Sequence, residues 1–378
     1  MKTLHSILYL LIICFLINER VESQATDIPV INKNKSYPEK EFEPNVDTIY
    51  VPLETNADIL LGYDAHIYYV SDKRMLIINK LQGDVFIFDM NGKALSHFNA
   101  KGGLGCTFIN YVVYDEKNQE VFILDMAKRK IIVFSEEGRF KRSLQFTSGI
   151  HLSEIHNFDE NSLLAFHEHR YGPLEQTKPY MFISKKDGTI LSRLNITMDK
   201  ANPRVLNLGT QRITKANNYS GNCKFGQEYI LFNMSSDTIY LLKQDKTITP
   251  LFVQHPTVFS DPPVITSVRM KTDDYIAFTV YPYDLKQAQR DIANGYNRIH
   301  EETRNLLYEF STGRFFELKN LNYTVEKADV PKNTSVTLID AYFLKRRLEK
   351  GKLKGKLKDV ASKINIDDNP VVMLVKLK

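Results

Sequence analysis

Four histidines that stand close together in the chain are the side chains best suited to bind a metal ion. His151, His156, His167 and His169 are four of the nine histidines in the sequence. Side chains alternate along a strand, so His167 and His169 would share one face of a strand through these residues. Neutral imidazoles are good ligands for divalent metals, although the spacing matches no zinc signature. A divalent metal is therefore possible, and no other cofactor is indicated; the alternative is that these are polar residues at the end of a strand.

A second candidate site is a basic stretch near the end of the chain. Residues 345–363 hold nine lysines or arginines and two acidic residues. The net charge of this stretch is +7 and that of the whole chain is +5, so the remaining residues together carry −2. Because the positive charge is local, it does not indicate nucleic-acid binding by the whole protein. The alternating Lys352, Lys354, Lys356 and Lys358 are candidate contacts for anionic lipid or polysaccharide. The alternative is a solvated insertion, since two glycines are expected to interrupt any helix there.

A glycine-rich link offers backbone N–H groups that could hold an anion. It contains Gly102, Gly103 and Gly105. The link lacks the Lys-Ser/Thr pair of a phosphate-binding loop, and no helical pattern follows it. A tight turn between structural repeats is the preferred interpretation. No nucleophile motif such as G-x-S-x-G or H-E-x-x-H occurs, so catalytic residues cannot be assigned and the sequence favours a binding protein over an enzyme without deciding between them.

The strands that must position these residues belong to a repeated strand–turn–strand pattern in the sequence. Residues 85–93 (VFIFDMNGK) and 131–139 (IIVFSEEGR) share a strand, a phenylalanine four positions before glycine and a cation after it. Weaker copies occupy residues 181–188, 238–246 and 306–314. The glycine allows a tight hairpin turn between two antiparallel strands. Repeats of about 45–65 residues with about four strands each are typical of propeller blades.

The two ends of the repeat region predict how the ring closes. Residues 47–53 and 369–378 both have strand character. An open ring would leave two unpaired sheet edges. We therefore predict an all-β, six-bladed β-propeller with four-stranded antiparallel blades, closed by an N-terminal strand that joins the last blade. That blade would combine residues 335–343, the C-terminal strand and residues 47–53.

The beginning of the chain predicts export. Lys2 precedes an apolar run at residues 6–17, and small residues near position 25 suit a signal peptidase. Ile13 is too bulky for the position before a lipidated cysteine, so anchoring at Cys14 is not expected. The prediction is a signal peptide at 1–25, an extended leader at 26–46 and a propeller at 47–378. No later apolar run is long enough to span a membrane.

Only Cys106 and Cys223 follow the predicted signal peptide. Two cysteines cannot form a disulfide framework, so the apolar core must stabilise the fold. The sequence leaves open whether the two residues pair with each other.

The repeat, the glycine-rich link and the ending at residues 368–372 (DNPVV) together resemble a known family. The chain is similar to the exported six-bladed β-propellers of Bacteroides-type bacteria, which are related in architecture to NHL-repeat propellers. Members usually have Gly-x-Gly-Pro-Gly-Glu at the link, whereas here Cys106 follows Gly105. The resemblance implies the fold and export to the periplasm or cell surface.

These observations favour a monomeric cell-envelope protein that binds a glycan, a peptide or another envelope protein over the mouth of its channel. The alternative is a metal-dependent propeller hydrolase or lyase with its active site at the same mouth. Propeller sites gather residues from several blades, so the lack of a linear motif does not decide between the two.

Overall fold

The computed structural model describes residues 27–146, 149–167, 178–198, 205–207, 213–215, 222–233, 235–282, 303–319 and 328–377. These residues form six sheets that follow one another along the chain, together with one short hairpin of two strands, Val205–Asn207 and Ile213–Lys215.

The first three blades are four-stranded antiparallel sheets whose strands pair in chain order. Blade 1 contains Ala65–Val70, Arg74–Asn79, Asp84–Asp89 and Ala94–Asn99. Blade 2 contains Ile109–Asp115, Glu120–Asp125, Lys130–Ser135 and Phe140–Gln145. Blade 3 contains Leu152–Asn157, Ser162–His167, Tyr180–Ser184 and Ile190–Arg193. The first strands of neighbouring blades contact each other, so they line the channel.

Blades 4 and 5 add a short strand from the N-terminal leader to their four antiparallel strands. Blade 4 contains Cys223–Phe225, Glu228–Leu231, Thr238–Leu242 and Ile248–His255. Blade 5 contains Val264–Lys271, Tyr275–Pro282, Arg304–Glu309 and Arg314–Leu318. The leader strands Val30–Asn32 and Glu39–Lys40 pair in parallel with the outermost strands of blades 4 and 5, respectively. Part of the leader is thus fastened to the outside of the ring.

Blade 6 closes the ring with strands from both ends of the chain. Its order from the channel outwards is Thr334–Ile339, Val371–Leu377 and Val46–Pro52. The last two strands run antiparallel, with Met373 opposite Tyr50. The predicted closure is confirmed. Among the described residues this blade has three strands, and the chain between its first two strands forms two helices.

The basic stretch folds as a helical hairpin, defined here as residues 341–364. Helix α1 spans Ala341–Glu349 and helix α2 spans Gly355–Lys363. The helix is interrupted at the two glycines, as expected: Gly351 lies just beyond α1 with φ of +62°, and Gly355 begins α2. The sequence did not predict the helices on either side of this interruption. Glycine is favoured at such positive φ values.

The positive φ of the residue at the turn explains why the hairpins of the repeat have glycine there. Gly92 has φ of +84°, and a Cβ there would lie 2.0 Å from the carbonyl oxygen of Pro52. The closing strand therefore passes so close to this turn that only glycine fits. In the fourth copy Lys246 takes the corresponding place and adopts φ of 67°.

Apart from a cluster around the helical hairpin, the core of the described residues contains six apolar clusters, one between each pair of neighbouring blades. Each of these six clusters combines side chains from two neighbouring blades. In ring order, beginning with blades 1 and 2 and ending with blades 6 and 1, examples are Leu76 with Val121, Phe122 with Ile155, Phe182 with Tyr229, Phe252 with Phe278, Leu307 with Leu377 and Val372 with Met75. The ring of clusters is continuous, so each blade is stabilised by two neighbours.

Candidate functional site at the channel mouth

The first strands of blades 1, 2 and 3 bring Tyr68, Tyr111 and His156 to the lining of the channel. The ring centroids of Tyr68 and Tyr111 lie 6.0 Å apart and those of Tyr111 and His156 lie 5.3 Å apart. Tyr229, on the second strand of blade 4, continues the series of rings at 6.2 Å from His156. Burial raises the pKa values of Tyr68 and Tyr111, so both phenols stay protonated and neutral at physiological pH.

A small cavity of about 20 Å³ lies among these rings. His156 lines it, and its Nε2 is buried without a hydrogen-bond partner among the residues that the structure describes. The nearest carboxylate oxygen, Oε2 of Glu154, is 3.7 Å away and instead accepts a hydrogen bond from Asn222 at 3.0 Å. The cavity has room for about one water molecule, which needs two to four polar partners.

An ion pair separates this cavity from the surface. The Nζ of Lys224 lies 2.5 Å from Oδ2 of Asp329, and both residues line the small cavity and the open space beyond it. Backbone bonds fix the position of Asp329, whose N–H donates to Tyr68 O at 2.9 Å and whose carbonyl accepts from Val70 N at 2.9 Å. The pair therefore forms a rigid floor.

Above the floor, the channel opens into a funnel of about 810 Å³. Its walls are the turns between the first and second strands of blades 1 to 4, together with residues 329–332 ahead of blade 6. Seven carboxylate side chains and three lysines line it; the carboxylates are Asp72, Asp115, Glu116, Asp159, Glu160, Glu228 and Asp329.

Four of the seven carboxylates are neutralised by ion pairs. Asp115 pairs with Lys185, Glu160 with Lys117, Glu228 with Lys271 and Asp329 with Lys224.

The other three carboxylates, Asp72, Glu116 and Asp159, form no ion pair within the part of the chain that the structure describes. Glu116 accepts a hydrogen bond from Tyr69 Oη at 2.8 Å. Burial tends to raise the pKa of Asp159, but hydrogen bonds from Ser162 and Asn161 outweigh it and lower the pKa. The funnel therefore keeps a negative charge that is suited to attract cations.

The four histidines singled out in the sequence are only partly brought together. His151 and His167 stack with ring centroids 6.4 Å apart, and His167 Nδ1 accepts a hydrogen bond from the His151 backbone N–H at 3.0 Å. His156 points instead into the channel, and His169 lies outside the described residues. No set of three or more potential metal ligands converges within the described ranges.

The glycine-rich link forms a compact turn between blades 1 and 2. Gly102 and Gly103 have φ of +84° and +47°, and a Cβ on Gly105 would lie 2.3 Å from Ala100 O. The Gly105 N–H donates to Gly102 O at 2.6 Å and the Cys106 N–H donates to Ala100 O at 2.7 Å. These two N–H groups are therefore already bonded within the turn.

Cys106 and Cys223 form no disulfide in the described structure. Burial raises the pKa of Cys106 to about 12, which keeps its sulfur protonated. Cys223 lines the small channel cavity.

The sequence analysis missed the funnel carboxylates, although a signal was present. Asp72, Glu116 and Asp159 each stand in the turn just before the second strand of three successive repeats. An acidic residue that recurs in the same turn of a repeat points to a shared surface, because repeats place equivalent turns on the same side of a ring.

A closed ring of six sheets around a channel, with a funnel at one end, defines a six-bladed β-propeller with a site at its mouth. The chain belongs to the family of the domain of unknown function DUF4934, whose model matches residues 26–376. No curated protein sequence matches it at a significant level.

Two solved structures share the fold. A candidate exported protein from Bacteroides fragilis is 13% identical with a TM-score of 0.60, and the match covers 92% of this chain and 99% of that one. A member of the DUF4221 family from Bacteroides vulgatus is 9% identical with a TM-score of 0.51, and the match covers 91% and 100%. The family match and these folds confirm the resemblance seen in the sequence. None of the helices in the described part of the chain has the length and apolar character that a bilayer crossing needs.

Proposed function

We propose that this protein is an exported, cell-envelope binding propeller that takes up a ligand bearing cationic groups, such as a basic peptide, in its funnel. The observation that carries the proposal is the convergence of three carboxylates without ion pairs, from three successive blades, on one open space of about 810 Å³. Sites that gather residues from several elements around a concave surface are the usual ligand sites of soluble proteins.

The aromatic lining supports the same ligand class. Tyr69 lines the funnel itself, whereas Tyr68 and Tyr111 line the cavity below its floor. Ammonium groups are attracted both to carboxylates and to the faces of aromatic rings. The buried Nε2 of His156 and Oδ1 of Asn157 have no hydrogen-bond partner among the described residues, and a water molecule in the small cavity below the funnel can satisfy them.

Calorimetric titration of the exported chain with tetralysine and with tetraglutamate tests the proposal. We expect tetralysine to bind and tetraglutamate not to bind. The double variant Asp72→Asn/Glu116→Gln should weaken tetralysine binding by about tenfold, because each lost charge contributes modestly in a solvated site. Asp58→Asn/Glu43→Gln removes the same charge at exposed positions outside the funnel and is the matched control.

Equal effects of the two double variants, or no binding of tetralysine, would contradict the proposal. Metal analysis of the same preparation tests the alternative of a metal-dependent hydrolase or lyase. A stoichiometric divalent metal, lost on substitution of His151 or His167, would favour the enzyme.

A further inference from the structure

The apolar side chains on the inner face of the helical hairpin are buried in the core of the fold. Ala341 and Leu344 of α1 and Ala361 of α2 pack with Leu353, Ile364 and Val371 in one buried cluster, against which Tyr50 of the closing strand also packs. Lys345 Nζ donates to Ala361 O at 3.3 Å and ties the two helices together. The hairpin is therefore a rigid part of blade 6, and its outer face has a fixed shape.

The outer face is strongly basic. Lys352, Lys354, Lys356 and Lys358 are all exposed, as are Arg346 and Arg347 of α1. The acidic residues of the hairpin offset little of this charge. Oε2 of Glu349 lies 3.6 Å from Nη1 of Arg346, but both side chains are more than half exposed, so solvent weakens their interaction. The hairpin carries a net +7 while the rest of the exported chain carries −2.

Two aromatic side chains project from the same hairpin. Tyr342 is 48% exposed and Phe343 is 64% exposed, and their rings meet edge to face at 5.7 Å. Arg346 and Arg347 follow Phe343 by three and four residues, so these side chains share one side of the helix. Isolated exposed apolar residues are common on soluble proteins. An adjacent aromatic pair within the most basic element of the chain is a different feature.

We infer that the hairpin docks this protein onto an anionic lipid surface, with Tyr342 and Phe343 entering the headgroup region and the lysines and arginines contacting acidic headgroups. Aromatic side chains favour the membrane interface, and basic residues add electrostatic attraction to acidic lipids. The two helices are too short to span a bilayer, so the contact is peripheral. It is independent of the ligand proposed for the funnel.

The aromatic pair favours a lipid surface over a soluble polyanion. A soluble polyanion is attracted by the lysines and arginines, and it has no apolar layer in which a phenyl ring is transferred out of water. A lipid surface uses both features, because binding strength scales with buried apolar area as well as with charge. Loss of the rings therefore distinguishes the two partners.

Co-sedimentation of the exported chain with vesicles tests the inference. We expect binding to phosphatidylcholine vesicles that contain phosphatidylglycerol and no binding to pure phosphatidylcholine. The variant Lys352→Gln/Lys354→Gln/Lys356→Gln/Lys358→Gln should bind about a hundredfold more weakly at low salt. The variant Tyr342→Ala/Phe343→Ala should bind about tenfold more weakly. Both variants should melt as the wild type does, since these side chains are exposed.

Matched controls separate the hairpin from the whole surface. Gln at Lys73, Lys93, Lys186 and Lys243 removes the same charge at exposed positions on blades 1, 3 and 4. Ala at Leu104 and Phe108, which are 72% and 55% exposed, removes apolar groups from the link between blades 1 and 2. Neither control should change binding.

Three outcomes would overturn the inference: no binding of the wild type to acidic vesicles, equal loss in the control with four distant lysines replaced, or unchanged binding of Tyr342→Ala/Phe343→Ala. In the last case soluble heparin should compete fully with the vesicles, and the hairpin would be a polyanion site instead.

Discussion

Lys185 of blade 3 reaches into blade 2, where its Nζ lies 2.6 Å from Oδ2 of Asp115. Both residues are buried, at 5% and 3% exposure, and Lys185 Nζ also donates to Asp159 O at 2.5 Å. The pair joins the turn that follows the third strand of blade 3 to the end of the channel strand of blade 2. It therefore holds two walls of the funnel at a fixed distance.

Removal of one partner of this pair should be costly. Lys185→Ala leaves the Asp115 carboxylate buried without its cation, and we expect a loss of about 3–5 kcal/mol in the free energy of unfolding. Denaturant titration measures it. Lys185→Met/Asp115→Leu replaces both charges with apolar groups and should recover most of the loss. If the single and double variants are equally destabilised, packing rather than charge explains the effect.

Loss of the closing strand should destabilise the whole ring. Deletion of residues 369–378 removes strand Val371–Leu377 and separates Val46–Pro52 from the rest of blade 6. Because blades support one another, we expect a large fall in melting temperature and not the small effect of a frayed end. Lys376→Ala, at an exposed position of the same strand, is the control. An unchanged melting temperature of the truncated chain would refute closure by this strand.

Acid should weaken the contact between Glu120 and Arg142 of blade 2. Arg142 donates two hydrogen bonds of 2.7 Å to the carboxylate. Burial tends to raise the pKa of Glu120, but the bonds from Arg142 and Lys141 outweigh it and lower the pKa below its ordinary value of 4.5. A carboxyl with a lowered folded pKa stabilises the fold above its unfolded pKa, and this contribution disappears as the pH falls through the folded value.

The stability advantage of the wild type over Glu120→Gln should therefore be full near neutral pH and shrink as the pH falls below 4.5. Thermal melts across this range measure it. Glu43→Gln, at an exposed position, should show no comparable trend. A pH-independent difference between wild type and Glu120→Gln would show that the carboxylate does not act through its charge.

Export should be visible in the mass of the mature protein. We expect signal peptidase to cleave near residues 23–25, because small residues follow the apolar run there. Intact-mass spectrometry of the protein recovered from the cell envelope checks the new N-terminus. Retention of Met1, or a diacylglycerol on Cys14, would contradict the prediction.

The fold was largely predictable because its signals are local and repeated. The hairpin at residues 85–93 needs a glycine at its turn, and that requirement recurs in later blades. Ring closure also followed from the sequence, since strand-like residues 47–53 and 369–378 had no other partner. The two leader strands were not foreseen, because parallel pairs of two or three residues leave no periodic pattern.

The site was harder to predict than the fold. The histidines attracted attention as a linear cluster, whereas only the ring geometry shows that His156 faces the channel and His151 does not. The funnel carboxylates are distant in sequence and meet only when the blades close. The glycines were correctly expected to interrupt a helix, but the helices that end and begin near Gly351 and Gly355 were not predicted.

The closing contacts join parts of the chain that are made at very different times. Asn369 Nδ2 donates to Ile59 O at 2.8 Å across 310 residues of sequence. A chain that emerges from its N-terminus onwards can complete blades 1 to 3 early, since each is contiguous. Strand Val46–Pro52, however, pairs with strand Val371–Leu377, which is made much later, and such distant pairings form slowly. Until strand Val371–Leu377 has been synthesised, the nascent chain therefore carries an open sheet edge.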